Sequence, residues 1–532
     1  MGRRSGSGRL PWRSSAALAG VAALLLGACS AGGDDDGGGS GASGGGRGTL
    51  RYGYDLAAQF TNTFDISTSN GDCDAIPLFH IFDTLVHKEP GNELTPGLAE
   101  SWEVVDPSTL ELKLREGVTF HDGTSMDAAA VQQSLERAAK NDQLTDLAKI
   151  EDYEVVDDLT LRLTFSDPIA VQMPASFTGR DGMVMAPAST NEKPIGAGPF
   201  RFDGYEPGAA IRLTKYEDHW NADAYQFAGI DFVQTATGPP AVTALQAGDV
   251  DVIRMEAESV PALEEQGARY EVATQPTGAY LQFEFRQGFP PDDPEPTPFA
   301  KTEVRQAIAH AIDRERINEV VQGGRGEVAS QPFPEDSPAY VPALADRYPY
   351  DPEKAKELLT EAGYPDGFEF TMAIPGGDIT NMERQATLLQ EMLQAVGLKP
   401  KIERILGSDI GTQFYIVGNG DAFAAAELDS TFPTGKLKSA YGNDQFVALW
   451  DGAERDDITD LMAQAEGTTD LDETYGLVQE ASKISVENAL DVPIAFMPQF
   501  MGYDTDRVGG TLRAQTNICD PPDLSQVTVT GS

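Results

Sequence analysis

The spacing of apolar residues predicts a chain of mixed helices and strands without an internal repeat. Apolar and polar residues alternate over Thr49–Tyr54, Leu110–Leu114 and Leu159–Phe165, which is the period of a strand with one buried face. Leu78–Val86 is mostly apolar and predicts a short buried helix. Elsewhere apolar residues recur every three or four positions, as in amphipathic helices. These segments are Asp127–Ala139, Val304–Ile317, Pro352–Ala362 and Met382–Val396. The pattern is that of an α/β protein.

Local signals indicate where some of these elements end. Asp351 followed by Pro352 predicts a helix start, because Asp caps the first amide groups and Pro fits the first helical position. Gly363 and Gly397 follow the last apolar positions of two helices and predict their ends. Gly288–Pro298 is rich in Pro and Asp and is predicted to be a surface loop.

The N-terminus has the composition of a targeting segment. Four arginines precede Ala16–Leu26, an apolar run too short to span a bilayer as a permanent helix. The run leads into Leu26-Gly27-Ala28-Cys29, which is similar to a bacterial lipobox, in which the cysteine is lipidated and becomes the mature N-terminus. We therefore expect a lipoprotein signal peptide over 1–28, a lipidated Cys29 and a flexible linker over 29–48. The body is then anchored to the outer face of a bacterial cell membrane; an ordinary secretory signal with a chance cysteine is the alternative.

The charge balance is strongly acidic. The chain has 39 Lys and Arg against 84 Asp and Glu, a formal net charge of −45. A surface of this sign repels nucleic-acid phosphates and anionic lipid, so neither is expected as a partner. The excess acid either serves solubility and salt tolerance or attracts a cationic or amine-bearing ligand, and composition leaves both explanations open.

The cysteines and histidines bear on redox state and metal binding. With Cys29 assigned to the lipid, Cys73 and Cys519 are an even remainder in an oxidising compartment, which favours one disulfide; two buried free thiols are the alternative. Neither cysteine lies in a CxxC motif, and the five histidines lack the spacing of metal ligands. No metal site and no cofactor are predicted.

The most specific motif lies near the start of the body. Gly97–Arg137 reads GLAESWEVVDPSTLELKLREGVTFHDGTSMDAAAVQQSLER. This segment resembles, nearly residue for residue, a signature of the family-5 extracellular solute-binding proteins, the oligopeptide-, dipeptide- and nickel-binding lipoproteins of ABC transporters. Further segments resemble the family in its own order. They are Gly196–Phe202, Asp218–Asn221, Ala244–Val252, Val304–Ile317 and Asp351–Phe368.

The resemblance implies the fold and its division. The fold would be α/β, a two-lobed, type II periplasmic-binding-protein-like clamp with an extra subdomain in lobe I. Crossing segments near Thr277–Phe285 and Val492–Phe500 would connect the lobes, which close around a ligand without covalent chemistry. The implied parts are lobe I (49–85, 194–276 and 495–532), its inserted subdomain (86–193) and lobe II (277–494).

The resemblance also implies candidate ligand contacts. Leu428–Pro433 corresponds to a motif whose Asp pairs with the α-ammonium of a peptide, so Asp429 would be the acceptor; a loop-capping role is the alternative. Dipeptide binders carry a carboxylate-clamping Arg where this chain has Gly376, which favours a longer peptide or an unrelated amine. The strand from Tyr280 to Phe285 is expected to read a peptide main chain through its backbone. The loop after the first strand adds weaker polar candidates, which are Asn62, Thr63, Asp65 and Asn70.

Other functional classes have little support. A secreted hydrolase is disfavoured because the sequence offers no G-x-S-x-G elbow between a strand and a helix, no S-x-x-K motif and no H-E-x-x-H motif. His121 and Asp122 are predicted to hold a turn together by hydrogen bonds. Gly196 and Gly198 are predicted to be structural. We expect a monomeric, non-enzymatic protein that binds a small peptide or amine-bearing solute and delivers it to ABC permease and ATPase subunits. A lipoprotein sensor of the same fold is the alternative.

Overall fold

The computed structural model describes residues 48–69, 75–89, 92–286, 297–376, 380–406, 413–414, 417–427, 430, 432–442, 453–514 and 520–530. Several residues singled out above lie outside the described residues. These are Cys29, Asn70, Cys73, Asp429 and Cys519, with the signal peptide and most of the predicted Gly288–Pro298 loop. Within the described part of the chain, no helix combines the length and the apolar composition that crossing a membrane requires.

The helices and strands alternate irregularly along the chain. The strands are β1 (Thr49–Tyr54), β2 (Val86–Lys88), β3 (Leu94–Pro96), β4 (Ala99–Asp106), β5 (Thr109–Leu114), β6 (Ile150–Asp157), β7 (Thr160–Phe165), β8 (Phe200–Glu206), β9 (Ala210–Lys215), β10 (Gly229–Gln234), β11 (Val252–Met255), β12 (Tyr270–Gln275), β13 (Tyr280–Phe285), β14 (Glu327–Val328), β15 (Glu369–Gly376), β16 (Lys399–Leu406), β17 (Ala422–Glu427), β18 (Asp491–Phe496), β19 (Gln499–Asp504), β20 (Val508–Arg513) and β21 (Asp523–Val529). The helices are α1 (Leu56–Gln59), α2 (Ile76–Ile81), α3 (Ala128–Ala138), α4 (Met173–Ser176), α5 (Pro239–Ala247), α6 (Val260–Glu264), α7 (Thr302–Ala311), α8 (Arg314–Gln322), α9 (Pro352–Glu361), α10 (Thr380–Ala395), α11 (Pro433–Leu437), α12 (Ala453–Glu466) and α13 (Leu471–Glu487).

A seven-stranded sheet is built from both ends of the chain, and we call it and its helices lobe I. The strand order is β12-β19-β11-β1-β10-β9-β8, and β1 runs parallel to both β10 and β11. Asp251, which is fully buried, accepts hydrogen bonds from Arg51 Nε at 3.1 Å and from Arg507 Nε at 3.2 Å. This ion group ties the C-terminal part of the chain to β1.

A four-stranded antiparallel sheet forms a separate layer, and we call it, with α3 and α4, the subdomain. Its order is β4-β5-β7-β6, and two hairpins of similar sequence, WEVVD with TLELKL and YEVVD with TLRLTF, meet at β5 and β7. Leu110 lies opposite Leu163 and Leu112 opposite Leu161. All four leucines are fully buried in the core that also contains residues of α3.

A six-stranded mixed sheet forms the third layer, which we call lobe II. The order is β14-β18-β13-β17-β15-β16, with β13 antiparallel to both of its neighbours. Helix α10 packs against β15, β16 and β17, whereas α8 and α13 pack against β18. The boundaries between lobes and subdomain that we derived from the sequence stay a prediction.

Most predicted elements are confirmed, and two are wrong in part. The predicted helix over Val304–Ile317 is two helices, because Ile312 is extended and Asp313 caps α8 by accepting from the amide of Arg316 at 3.0 Å. The predicted helix over Leu78–Val86 begins earlier and stops at Ile81, where the extended backbone of Phe82 ends α2.

The helix signals read from single residues are confirmed. Asp351 accepts from the amide of Lys354 at 2.9 Å, as expected of an N-cap. Gly363 and Gly397 adopt φ of +90° and +98°, the left-handed region that favours glycine.

Candidate functional site

The chain passes between the two large sheets twice, and the two connections lie side by side. Residues 276–279 link β12 of lobe I to β13 of lobe II, and residues 497–498 link β18 back to β19. The Thr277 hydroxyl donates to the Met497 carbonyl at 2.7 Å, and the Met497 amide donates to the Ala279 carbonyl at 2.8 Å. A pair of short connections of this kind is where two lobes can rotate against each other. We call residues 276–279 and 497–498 the hinge.

Lobe I places the carboxyl ends of its parallel strands at one edge. Because β1 runs parallel to β10 and β11, Tyr54 and Gln234 end their strands side by side. The Gln234 amide donates to Asp55 Oδ1 at 3.0 Å. A small cavity of about 20 Å³ opens at this edge, with Asp55, Thr235 and Arg254 among its lining residues. Open α/β sheets bind ligands in the crevice outside such carboxyl ends.

Lobe II contacts this edge through two ion pairs. Arg384 of α10 lies 3.4 Å from Glu258, which follows β11, and Arg325 lies 2.7 Å from Glu264 of α6. Each pair is partly exposed, so each contributes little stability by itself. They show that the carboxyl edge of lobe I faces lobe II.

A second contact joins lobe II to the subdomain. Phe432, just before α11, packs with Val171 and Ala175 in a small apolar cluster. The Thr434 hydroxyl lies 3.4 Å from the side-chain oxygen of Gln172, and Thr434 is fully buried. One end of α11 therefore lies against the subdomain.

Lobe II contains a group of buried or half-buried polar side chains next to the hinge, and we call it the polar cluster. The Gln282 amide donates to Glu284 at 2.6 Å and to Glu427 at 3.3 Å, so it bridges two carboxylates. The Tyr441 hydroxyl donates to Asp491 Oδ1 at 2.7 Å. The cluster comprises Tyr280, Gln282, Glu284, Glu427, Lys436, Tyr441 and Asp491.

Burial dominates the electrostatics of this cluster. Desolvation, reinforced by the charge of Asp491 and opposed by Lys436, raises the pKa of Glu427 to about 7. Desolvation also raises the pKa of Asp491 to about 6, although Tyr441 and Lys436 oppose it. The Lys436 ammonium donates to the Gly278 carbonyl and lies 4.5 Å from the centroid of the Tyr280 ring. The single lysine of the cluster thus touches the hinge.

The candidates in the loop after β1 hold that loop in place. The Asn62 side chain accepts from the Tyr205 hydroxyl, and Thr63 Oγ1 lies 2.7 Å from Thr68 Oγ1. Asp65 caps the turn that follows it and pairs with Arg137 of α3. These contacts join the loop to β8 and the subdomain. That the same side chains also contact a ligand stays a prediction.

Tyr280 is buried, and its strand cannot serve as a template for a peptide. The Tyr280 hydroxyl lies 3.5 Å from Asp491 Oδ2, and its side chain is 1% exposed. The expectation that the backbone of Tyr280–Phe285 reads a peptide main chain is wrong, because β13 is paired with β17 on one side and β18 on the other. Contact between the Tyr280 side chain and a ligand stays a prediction, as does the role of Asp429.

Sequence reasoning missed the polar cluster and the hinge contact of Lys436. The sequence did contain a signal for buried polar groups. Glu284 lies inside the apolar strand YLQFEF, and Asp491 begins the apolar strand DVPIAF. Charged residues are rarely buried without partners, so each of the two predicts a polar partner nearby. Among the residues that the structure describes, no group of three or more His, Cys, Asp or Glu side chains could hold a metal ion.

A family model and individual relatives both compare this chain with solute-binding proteins of bacteria. The model of the bacterial extracellular solute-binding proteins, family 5 (Middle), matches residues 93–436. Heme-binding protein A of Haemophilus influenzae is 27% identical over 493 residues, which cover 80% of this chain and 84% of that protein. Di/tripeptide-binding protein 1 of Pseudomonas aeruginosa is 28% identical over 494 residues, covering 83% and 86%.

Solved structures agree on the fold. HbpA2 from Haemophilus parasuis superposes with a TM-score of 0.76 at 23% identity, over 90% of this chain and 99% of that one. DppA from Helicobacter pylori, a periplasmic binding protein solved with the peptide STSA, superposes with a TM-score of 0.67 at 22% identity, over 91% and 98%. The expected type II periplasmic-binding-protein-like fold is confirmed. With a family model that matches from β3 to α11, the chain belongs to the bacterial extracellular solute-binding proteins of family 5.

Proposed function

We propose that this protein is the lipid-anchored solute-binding subunit of an ABC importer and that it captures a small peptide or a peptide-like, amine-bearing solute. Members of the family are extracytoplasmic or periplasmic binding proteins that work with ABC permease and ATPase subunits. Among the relatives that match over most of both chains is a di/tripeptide-binding protein. The lipobox at Leu26–Cys29 supports anchoring at the membrane.

The observation that carries the proposal is that the two connections between the lobes lie side by side in the hinge. The lobes also contact each other at other places, away from the hinge. Residues 276–279 and 497–498 are held together by two hydrogen bonds, whereas the lobes meet at Arg384–Glu258 and Arg325–Glu264. Two short connections of this kind can act as a hinge between the lobes. A solute that contacts both lobes stabilises the closed form, which the permease then recognises.

Charge supports an amine as the feature that is recognised. In the sequence, Asp429 follows Glu427, the last residue of β17, by two positions and precedes α11, which leads to the subdomain contact. A carboxylate there would accept a charge-assisted hydrogen bond from a ligand ammonium in a cleft with little water. Gly376 at the end of β15 offers no cation for a dipeptide carboxylate, which favours a longer peptide.

Mass spectrometry of the solute released by denaturing the purified protein tests this proposal. We expect one or a few peptides, or another solute with a free amine, in amounts close to one per chain. A released heme, a metal chelate without an amine, or a sugar acid would contradict the proposed ligand class.

A matched pair of variants makes the same experiment specific. Asp429→Asn should lower the amount of solute that is retained, because the charge-assisted bond is lost while the shape is kept. Asp457→Asn, on the exposed face of α12 in the same lobe, should retain as much solute as the wild type. Equal retention by both variants would exclude Asp429 as the acceptor.

A further inference from the structure

We propose that Lys436 is a positioning residue that couples the contact between α11 and the subdomain to the hinge, so that the two move together when the lobes close. The inference rests on the proposed function, because closure of the two lobes is taken to serve solute capture. The contact itself is a property of the chain and can be tested without any solute.

The first argument is the cost of placing Lys436 where it is. The residue is 2% exposed, and a buried ammonium is costly unless it is paired and hydrogen-bonded. Glu427 and Asp491 are close enough for its charge to lower their pKa, and the Tyr280 ring lies 4.5 Å away. A side chain that only filled space could be apolar. Lys436 instead places a charge there, and its ammonium donates a hydrogen bond to the carbonyl of Gly278.

The second argument is the position of that atom. Gly278 lies between Thr277 and Ala279, which bond to Met497 on the returning connection. Lys436 therefore bonds to the 276–279 connection at Gly278, between the two residues that bond this connection to Met497. The position of the ammonium is thereby fixed to both halves of the hinge.

The third argument is the shortness of the path. Phe432 and Thr434 meet the subdomain residues Val171, Ala175 and Gln172, and Lys436 lies four residues after Phe432. Four helical residues rise about 6 Å, roughly one turn. Thr434, which meets the subdomain, and Lys436, which bonds to the hinge, lie in the single turn of α11, and Phe432 directly precedes that turn. A displacement of the subdomain contact is therefore passed to Gly278 over a short path.

Hydrogen exchange of the solute-free protein, followed by mass spectrometry, tests the coupling. Lys436→Met keeps the length of the stem and removes the charge and the donor. We expect amides in peptides that cover 276–283 and 495–500 to exchange about 10-fold faster, while β4–β7 of the subdomain are unchanged. Lys436→Arg should restore the wild-type rates, since it keeps a cationic donor.

Two further variants separate coupling from simple stabilisation. Lys438→Met removes a cation from the next turn, where Lys438 pairs with Glu466 at 2.6 Å, and should leave exchange at the hinge unchanged. Phe432→Ala should raise exchange at 276–283, because Phe432 belongs to the subdomain contact that the proposal couples to the hinge. It also tests the coupling if Lys436→Met does not fold. Unchanged hinge exchange in the folded variants, or a uniform rise over all of lobe II, would overturn the proposal.

Calorimetry with trialanine as the probe connects the coupling to function. We expect Lys436→Met to bind it at least about 10-fold more weakly than the wild type and Lys438→Met to bind it equally well. Equal affinity in Lys436→Met would show that the coupling has no part in binding and would overturn that half of the proposal. If the wild type itself does not bind trialanine, hydrogen exchange alone decides on the coupling, and the solute released by denaturation decides on the ligand class.

Discussion

Replacing Glu427 by Gln should change how the stability of the protein depends on pH. Burial raises the pKa of Glu427 from 4.5 to about 7. Below pH 4.5 the side chain is protonated in both the folded and the unfolded state, and it causes no loss of stability. Between pH 4.5 and 7 the unfolded chain releases the proton while the folded protein keeps it, so stability falls as pH rises through this window. Above pH 7 the loss is complete and stays constant.

The size of the effect follows from the difference between the two pKa values. Each unit corresponds to about 1.4 kcal/mol, so the shift of Glu427 amounts to an upper bound of roughly 3 kcal/mol. Gln keeps the shape and cannot ionise, so the variant escapes this loss. The buried His80 and His121, whose pKa values burial lowers to about 4, reduce stability toward low pH. They are present in both proteins and cancel in the comparison.

Urea unfolding followed by circular dichroism at pH 5, 6, 7 and 8 measures the prediction. The free energy of unfolding of Glu427→Gln, relative to wild type, should rise by roughly 2–3 kcal/mol between pH 5 and pH 8. Glu361→Gln, an exposed position on α9, provides the control and should show a difference that does not vary with pH. A constant difference for Glu427→Gln across the same range would refute the reasoning.

Three further predictions concern residues outside the described structure. Cys29→Ser should release the protein into the medium, and a variant that stays with the membrane would contradict the lipobox. Unreduced, denatured protein should contain no free thiol, because a Cys73–Cys519 disulfide would close a long loop and contribute up to about 5 kcal/mol; two titratable thiols per chain would exclude the bond. Asp429→Asn should weaken binding of the native solute by roughly 10- to 100-fold, or about 1.5–3 kcal/mol, in calorimetry, and unchanged affinity would remove Asp429 from the site.

The sequence predicted local structure well where one or two residues determine it. The cap at Asp351 and the glycine at 363 act through backbone groups within a few residues, so their effect can be read without knowing the fold. The break between α7 and α8 was missed because the apolar spacing continues across it. Asp313, whose side chain caps α8, was the signal that outweighed that spacing.

The family signature turned out to be informative about the fold and silent about the ligand. Gly97–Arg137 forms β4, β5 and α3 of the subdomain. Its His121 donates to the Gly198 carbonyl at 2.9 Å, and Asp122 accepts from the amide of Thr124 at 3.0 Å, as predicted for turn residues. Gly198 packs so tightly on the backbone of Ile81 that a Cβ would come within 2.6 Å of it.

Charged residues in apolar strands indicate buried polar groups, but which of them meet in the polar cluster could not be predicted from the sequence, because long-range packing brings them together. Tyr280 and Asp491 are 211 positions apart and meet only through the pairing of β13 with β18. The contact of Phe432 with α4 likewise joins two segments that are far apart in the sequence, and the sequence of neither segment indicates the other as its partner. Sites of this kind depend on the topology, which the resemblance supplied only in outline.

Small-angle X-ray scattering tests the central claim, closure of the two lobes around a solute, most directly. The protein would be stripped of its solute by partial unfolding and refolding, and measured before and after adding back the solute recovered from it. The account predicts a decrease in the radius of gyration that saturates at one solute per chain. An unchanged radius of gyration at saturating solute would contradict it.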